Sequence, residues 1–256
     1  MTVDGSESLM PPVPQTALGG PSAPDAPTAA PGPLPLAREA SPRDAVSRRN
    51  PDCFHALLHH LPWPSSDPTR CIRSVAFTSC YRGEGVSTVA LHSAVAAARS
   101  GSYRVLVVDA NLGEPSLHRA LGLARTPGLA EAILGLPDCD GVIQRTHQPN
   151  LSALAAGRGD ASRVYEAADR FAQLVADLKR AFDLAVFDMP PCGRDLATSH
   201  LFRLFDGVVL VIEDARVRWE VAQRATKRLR QSGANLLGAV LNKRHEHIPN
   251  WLYRRL

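Results

Sequence analysis

With 256 residues, 45% hydrophobic and 21% charged, the chain has the composition of an ordinary soluble protein. It has room for one domain of about 150 to 200 residues plus a tail, or for two small domains. A net charge of +4 spread over scattered arginines gives no basic patch, so no nucleic acid partner is expected. No apolar run reaches the roughly 18 to 20 residues of a membrane span, and no basic-then-apolar leader opens the chain, so a cytoplasmic protein is expected.

Residues 1–50 carry about half of the 21 prolines and almost no aromatic side chains. Such a segment buries too little apolar surface to offset its ordering entropy and is expected to be a disordered arm. Its proline runs also suit a polyproline II docking ligand, although a plain tether is the simpler reading. Residues 51–69 read as a short helix over 52–61 and a linker, ended by Pro62 and Pro64. His55 and His59 lie four apart on that helix, where a solvated pair is a plainer reading than a metal site. The five cysteines (Cys53, Cys71, Cys80, Cys139 and Cys192) form no CxxC pair and no zinc spacing, as expected of reduced thiols in a cytoplasmic protein.

From residue 70 to 256 buried strands alternate with amphipathic helices, with no internal repeat. The pattern predicts an α/β fold, a three-layer parallel sheet covered by helices on both faces. Strands are expected at 74–78, 104–109, 151–155, 184–188, 207–213 and 237–242, and helices notably at 87–100, 162–181 and 216–232. In such sheets ligands gather at the carboxyl ends of strands, where Asp109, Asp188 and Asn242 fall.

The most informative stretch is SVAFTSCYRGEGVSTVALHSAVAAA, in which an apolar strand enters a glycine turn and continues as a helix. This is the pattern of a phosphate-binding loop: backbone N–H groups and a helix N-terminus surround the anion, and Gly83 and Gly85 let the chain approach it. The standard loop places a lysine before the Ser/Thr that holds Mg²⁺, but here Val86 precedes Ser87 and Thr88. VLVVDANLGEPSLHRALGL ends a strand in Asp109, and FDLAVFDMPP ends another in Asp188. Strand-end carboxylates beside a phosphate loop suit Mg²⁺, which is usually held by one or two carboxylates, phosphates and water. Taken singly, each aspartate also reads as a helix cap or turn former.

TSCYRGEGVST, VLVVDANLGEPSLHRALGL, FDLAVFDMPP and GAVLNKRHEHIPNWLYRRL together resemble the cytoplasmic domain of the bacterial tyrosine kinases of capsule and exopolysaccharide biosynthesis. These are relatives of the partition and division-site ATPases, and the resemblance covers roughly residues 70–256. It implies a P-loop NTPase fold of the deviant Walker A class that binds ATP or ADP with Mg²⁺ and self-associates. It further implies a partner, a membrane-embedded polysaccharide chain-length regulator (co-polymerase), which would recruit the protein to the inner face of the membrane. Matched residue by residue, Arg82, Gly83, Glu84, Gly85, Val86, Ser87 and Thr88 span the family's phosphate loop, with Ser87 at the Mg²⁺-ligating hydroxyl position. Asp109 and Asp188 match its catalytic and metal-binding aspartates, and Asn242 the residue that reads adenine.

The departures are specific. Val86 stands where the family has lysine, Arg82 where it commonly has proline, and Asn111 where it has a second aspartate. CFHALLHHL lacks the arginines used in self-association, and the C-terminal tyrosine cluster is reduced to Tyr253. The expected protein is therefore a catalytically degenerate regulator that retains a phosphate cradle. An active autokinase in which Arg82 replaces the lysine, and a partition-type positioning ATPase, are the competing expectations. The tail around WLYRRL suits packing on its own domain or a protein partner, or contact with an anionic membrane, and His245 and His247 read as a solvated turn.

Overall fold

The computed structural model describes residues 72–101, 103–135, 141–193 and 196–243. The arm, the helix expected at 52–61, Cys53, Cys71, Cys139, the HEH turn and the tail with Tyr253 lie outside the described residues.

The elements follow in the order β1 (Ser74–Ser79), α1 (Val86–Arg99), β2 (Val105–Asp109), α2 (Leu117–Leu121), α3 (Leu129–Leu134), β3 (Ile143–Arg145) and β4 (Leu151–Leu154). They continue with α4 (Ala161–Glu166), α5 (Ala168–Ala181), β5 (Leu184–Asp188), α6 (Leu196–Leu201), β6 (Gly207–Glu213), α7 (Trp219–Gln231) and β7 (Leu236–Asn242). The strands form one seven-stranded sheet in the order β3-β4-β2-β5-β1-β6-β7. All neighbours are parallel except β3, which pairs antiparallel with β4 at the edge.

Central strands buried on both faces read as continuous apolar runs, and the pleat divides them between two cores. Leu106, Val108, Ala185, Phe187, Val208 and Leu210 point to one face, where they meet Phe171, Val175, Leu178, Ala225 and Leu229 of α5 and α7. Val105, Val107, Leu184, Val186, Val209 and Val211 point to the other, against α1. The exposed faces of α5 and α7 are polar, with buried residues at helical spacing: Phe171, Val175 and Leu178 on α5, and Ala222, Ala225 and Leu229 on α7. Helix α1 differs in being buried over almost its whole length, which its alanine-rich sequence permits.

The six expected strands are present within a residue or two, and β3 is an addition. The long helix expected at 162–181 is two helices, because Ala167 leaves helical geometry at ψ 51 and ends α4 before α5 begins. At the amino edge of the sheet, Asp206 ties β1 to the segment entering β6. Its Oδ2 accepts the Arg73 and Ser74 N–H groups at 2.9 and 3.0 Å, and its Oδ1 pairs with the Lys179 ammonium. Asp206→Ala leaves those strand-end donors without their partner, and we expect a loss of about 2 kcal/mol in urea denaturation, with the denaturant slope unchanged.

Candidate functional site

Strand β1 delivers the chain to a loop, Cys80 to Gly85, whose shape depends on two left-handed glycines, Gly83 at φ +82 and Gly85 at φ +90. A side chain is excluded at Gly85 in any case, since a Cβ there would stand 2.2 Å from the Asn242 amide nitrogen. The loop opens α1, whose first-turn N–H groups have no intrahelical acceptor and whose first turn carries no acidic residue. With Gly85 as a cap that offers no side chain, this end of the helix presents bare donors and positive dipole charge to an anion. Ser87 and Thr88 are half-buried there, while Val86 is turned inward and packs with the apolar cluster beneath α1.

Loop residues expected to meet nucleotide divide into two kinds. Gly83, Gly85, Ser87 and Thr88 remain at the surface of the cradle. Glu84 is fully buried: its Oε1 accepts the Tyr81 N–H at 2.8 Å and its Oε2 has no partner. Burial raises its pKa, so its carboxylate shapes the loop and only its backbone is available to a phosphate. Arg82 is paired with Glu114 in the turn after β2.

The loop is also held from β6 and β7, which the sequence reading missed apart from Asn242. The Asn242 amide donates to the Glu84 carbonyl at 2.8 Å, and the Lys243 ammonium donates to the Gly83 carbonyl at 2.7 Å. Lys243 and Arg216 share the Glu213 carboxylate, at 3.2 and 2.8 Å. Only the cationic residues at fixed offsets from the strand ends, Arg216 and Lys243, could have signalled this brace in the sequence.

Asp109 and Asp188 end β2 and β5 and are direct partners across the parallel ladder. By the alternation of their strands both lie on the α1 side of the sheet, toward Ser87. Asp109 Oδ2 accepts the Ser116 and Leu117 N–H groups at 2.9 and 3.0 Å, while its Oδ1 and both oxygens of Asp188 are buried without a hydrogen-bond partner. Burial is the main cause that pushes Asp109 up to about 6, against the backbone N–H groups that hold it down. Burial first, and then the charge of Asp109, push Asp188 well above its usual range, and the nearby Ser87 hydroxyl opposes this only weakly. The rise from 3.8 to about 6 at Asp109 represents on the order of 3 kcal/mol against its charged form.

These residues fit Mg²⁺. Unpartnered buried carboxylate oxygens at two adjacent strand ends, next to a serine that opens a helix, are a donor set that a hard cation would relieve. Asp109, Asp188 and Ser87 would hold the ion, which would supply charge neutralisation for phosphate oxygens in the cradle. Asn111 follows Asp109 half-buried, and its backbone N–H is one of the groups that favour the charged Asp109. The Tyr165 hydroxyl steadies the same turn, donating to the Ala110 carbonyl at 2.9 Å and accepting the Leu112 N–H at 3.2 Å.

The two aspartates give the metal-free protein a pH dependence. Their pKa values are raised on folding, so the folded state retains protons that the unfolded chain releases. Stability then falls as pH rises from about 4 through about 6. Asp188→Asn removes the less favourable charge, and we expect a higher melting temperature without metal, a shallower decline over that pH range, and loss of any stabilisation by Mg²⁺. Thermal melts at pH 4.5 and 7.5, with and without Mg-ADP, check all three.

The family described as ATPase MipZ matches residues 73–228. The tyrosine-protein kinase YwqD of Bacillus subtilis is 30% identical over 194 residues, spanning 75% of this chain and 81% of that protein. The succinoglycan biosynthesis transport protein ExoP of Rhizobium meliloti is 27% identical over 175 residues, 67% of this chain but 22% of its own length. Among solved structures, the chimerical protein CapA2B2 superposes with a TM-score of 0.71 at 24% identity, covering 83% of this chain and 96% of that one. The septum site-determining protein MinD of Pyrococcus horikoshii, complexed with Mg-ADP, gives 0.58 at 24% identity, covering 72% and 76%. The chain therefore belongs to the family described as ATPase MipZ and, within it, with the bacterial tyrosine-protein kinases.

Proposed function

We propose that this protein is a catalytically degenerate tyrosine-kinase relative that binds Mg-ATP or Mg-ADP and acts as a regulator in capsule or exopolysaccharide biosynthesis. The observation that carries this reading is the position of Val86. It occupies the lysine position of the loop with its side chain in the apolar cluster under α1, while the neighbouring cations are engaged elsewhere: Arg82 by Glu114, and Arg216 and Lys243 by Glu213. The backbone cradle, the helix end and the carboxylates are retained.

Magnitudes separate binding from turnover. Loss of one charge-assisted hydrogen bond to phosphate costs about 1.5 to 3 kcal/mol, which weakens binding without abolishing it. Loss of a preorganised donor aimed at developing charge costs about 10² to 10³ in rate. The pairing of Arg82 with Glu114 weighs against its replacing the lysine, since the guanidinium would have to leave a carboxylate first. The likeness to ExoP supports a partner in the membrane, a polysaccharide chain-length regulator, with the protein recruited to the inner face of that membrane. Among the described residues no helix is long and apolar enough to cross a membrane.

Equilibrium binding of Mg-ATP and Mg-ADP, with turnover measured in parallel on the natural protein and on Val86→Lys, tests the proposal. The natural protein should bind about 10- to 100-fold more weakly than the variant and show no turnover, which the variant regains. Robust tyrosine autophosphorylation by the natural protein would refute the degenerate assignment.

A further inference from the structure

Where β2 leaves the sheet, the Ala110 N–H donates to the Asp188 carbonyl at 2.9 Å. The chain then turns through Asn111 and Leu112, with the Glu114 N–H on the Asn111 carbonyl at 3.0 Å. It returns at Ser116 and Leu117, whose N–H groups hold Asp109 Oδ2 at 2.9 and 3.0 Å. Residues 109–117 thus form a loop closed on its own first side chain. The far end of this loop fixes how the carboxylate is turned, and so where Asp109 Oδ1, buried without a hydrogen-bond partner, is presented.

Ala110 and Leu112, the two neighbours of Asn111, are buried, and their main-chain groups need partners there. Tyr165 serves both from α4, more than fifty residues further along the chain. Its hydroxyl donates to the Ala110 carbonyl at 2.9 Å and accepts the Leu112 N–H at 3.2 Å. A hydroxyl suits this place because it donates and accepts at once. Tyr165 is itself buried, and with Ala110 and Leu112 it belongs to the core on the α5 and α7 side of the sheet. Asp109 lies on the other side, toward α1, by the alternation of its strand. The hydroxyl therefore holds the loop from behind and reaches the carboxylate only through the main chain.

We propose that Tyr165 is a positioning residue for the metal site: by pinning both neighbours of Asn111 it sets the angle at which Asp109 meets Mg²⁺. This rests on the reading of Ser87, Asp109 and Asp188 as the metal-holding set beside the phosphate loop. Tyr165→Phe removes one oxygen and leaves the ring in the core. The Ala110 carbonyl and the Leu112 N–H then lose their partner, and the loop shifts together with the donors that hold Asp109. Groups that orient a metal ligand from behind govern metal affinity by about 10- to 100-fold. The phosphate cradle is braced from the other side of β1, by Asn242 and Lys243, so the substitution separates metal binding from anion binding.

The test is calorimetric titration of ADP into the full chain, in saturating Mg²⁺ and in EDTA, for the natural protein, Tyr165→Phe and Asp206→Ala. Mg²⁺ should tighten ADP binding by the natural protein. Tyr165→Phe should lose about tenfold of that enhancement and need about tenfold more Mg²⁺ for half-saturation. Its metal-free ADP affinity should be unchanged, which also verifies that the variant folds. Asp206→Ala, weakened at the opposite edge of the sheet, should keep the full enhancement and so separates positioning from a general loss of stability. An equal loss of enhancement in Asp206→Ala would overturn the proposal, as would an undiminished one in Tyr165→Phe. A parallel fall of both ADP affinities in Tyr165→Phe, up to loss of all binding, would reduce Tyr165 to a structural residue and overturn it too. No enhancement in the natural protein would overturn it together with the metal assignment, whereas turnover by the natural protein would sink the degenerate reading alone.

Discussion

Two carboxylates held side by side in a dry interior are the constraint around which this site is arranged. The register of β2 against β5 makes Asp109 and Asp188 immediate partners, and the apolar strands that set the register give them no room to separate. Both are fully buried, and the close backbone donors converge on Asp109 Oδ2, leaving its Oδ1 and the Asp188 oxygens without a hydrogen-bond partner. The sheet thus concentrates unfavourable charge at one point of its carboxyl edge, directly beneath the helix end whose dipole has the opposite sign. Repulsion between acids and attraction for a cation are the same property of this arrangement, seen without and with the ion.

The shape of the loop in front of them does not depend on the residue that is missing. Glu84 folds inward to take the Tyr81 N–H, Asn242 and Lys243 bind two successive loop carbonyls, and the left-handed glycines make the turn. A lysine in this position contributes to what the loop does with an anion and little to how the loop is built. Replacing it with an apolar residue that joins the cluster beneath α1 therefore leaves a well-formed cradle of backbone donors.

Much of this was legible in the sequence because it is local. The strands are apolar runs bounded by turn residues, the loop is a glycine pattern between strand and helix, and the aspartates terminate runs of valine, leucine and phenylalanine. Strand β3 was not visible, because two half-buried residues and an exposed one become a strand only by pairing with β4. Helices α2 and α3, of five and six residues, are too short for a periodicity to appear. The break at Ala167 carries no glycine or proline to announce it. At the site, a glutamate between two glycines reads as a residue facing the ligand, yet its environment comes from Tyr81 and from β7, some 158 residues away in the chain.

The bonds from Asn242 and Lys243 to the loop have a mechanical meaning. Among the described residues, strand β7 is the outermost strand on its side of the sheet, with β6 as its single neighbour. Two side chains at the end of this strand hold the carbonyls of Gly83 and Glu84, so any displacement of the sheet edge is passed directly to the phosphate loop.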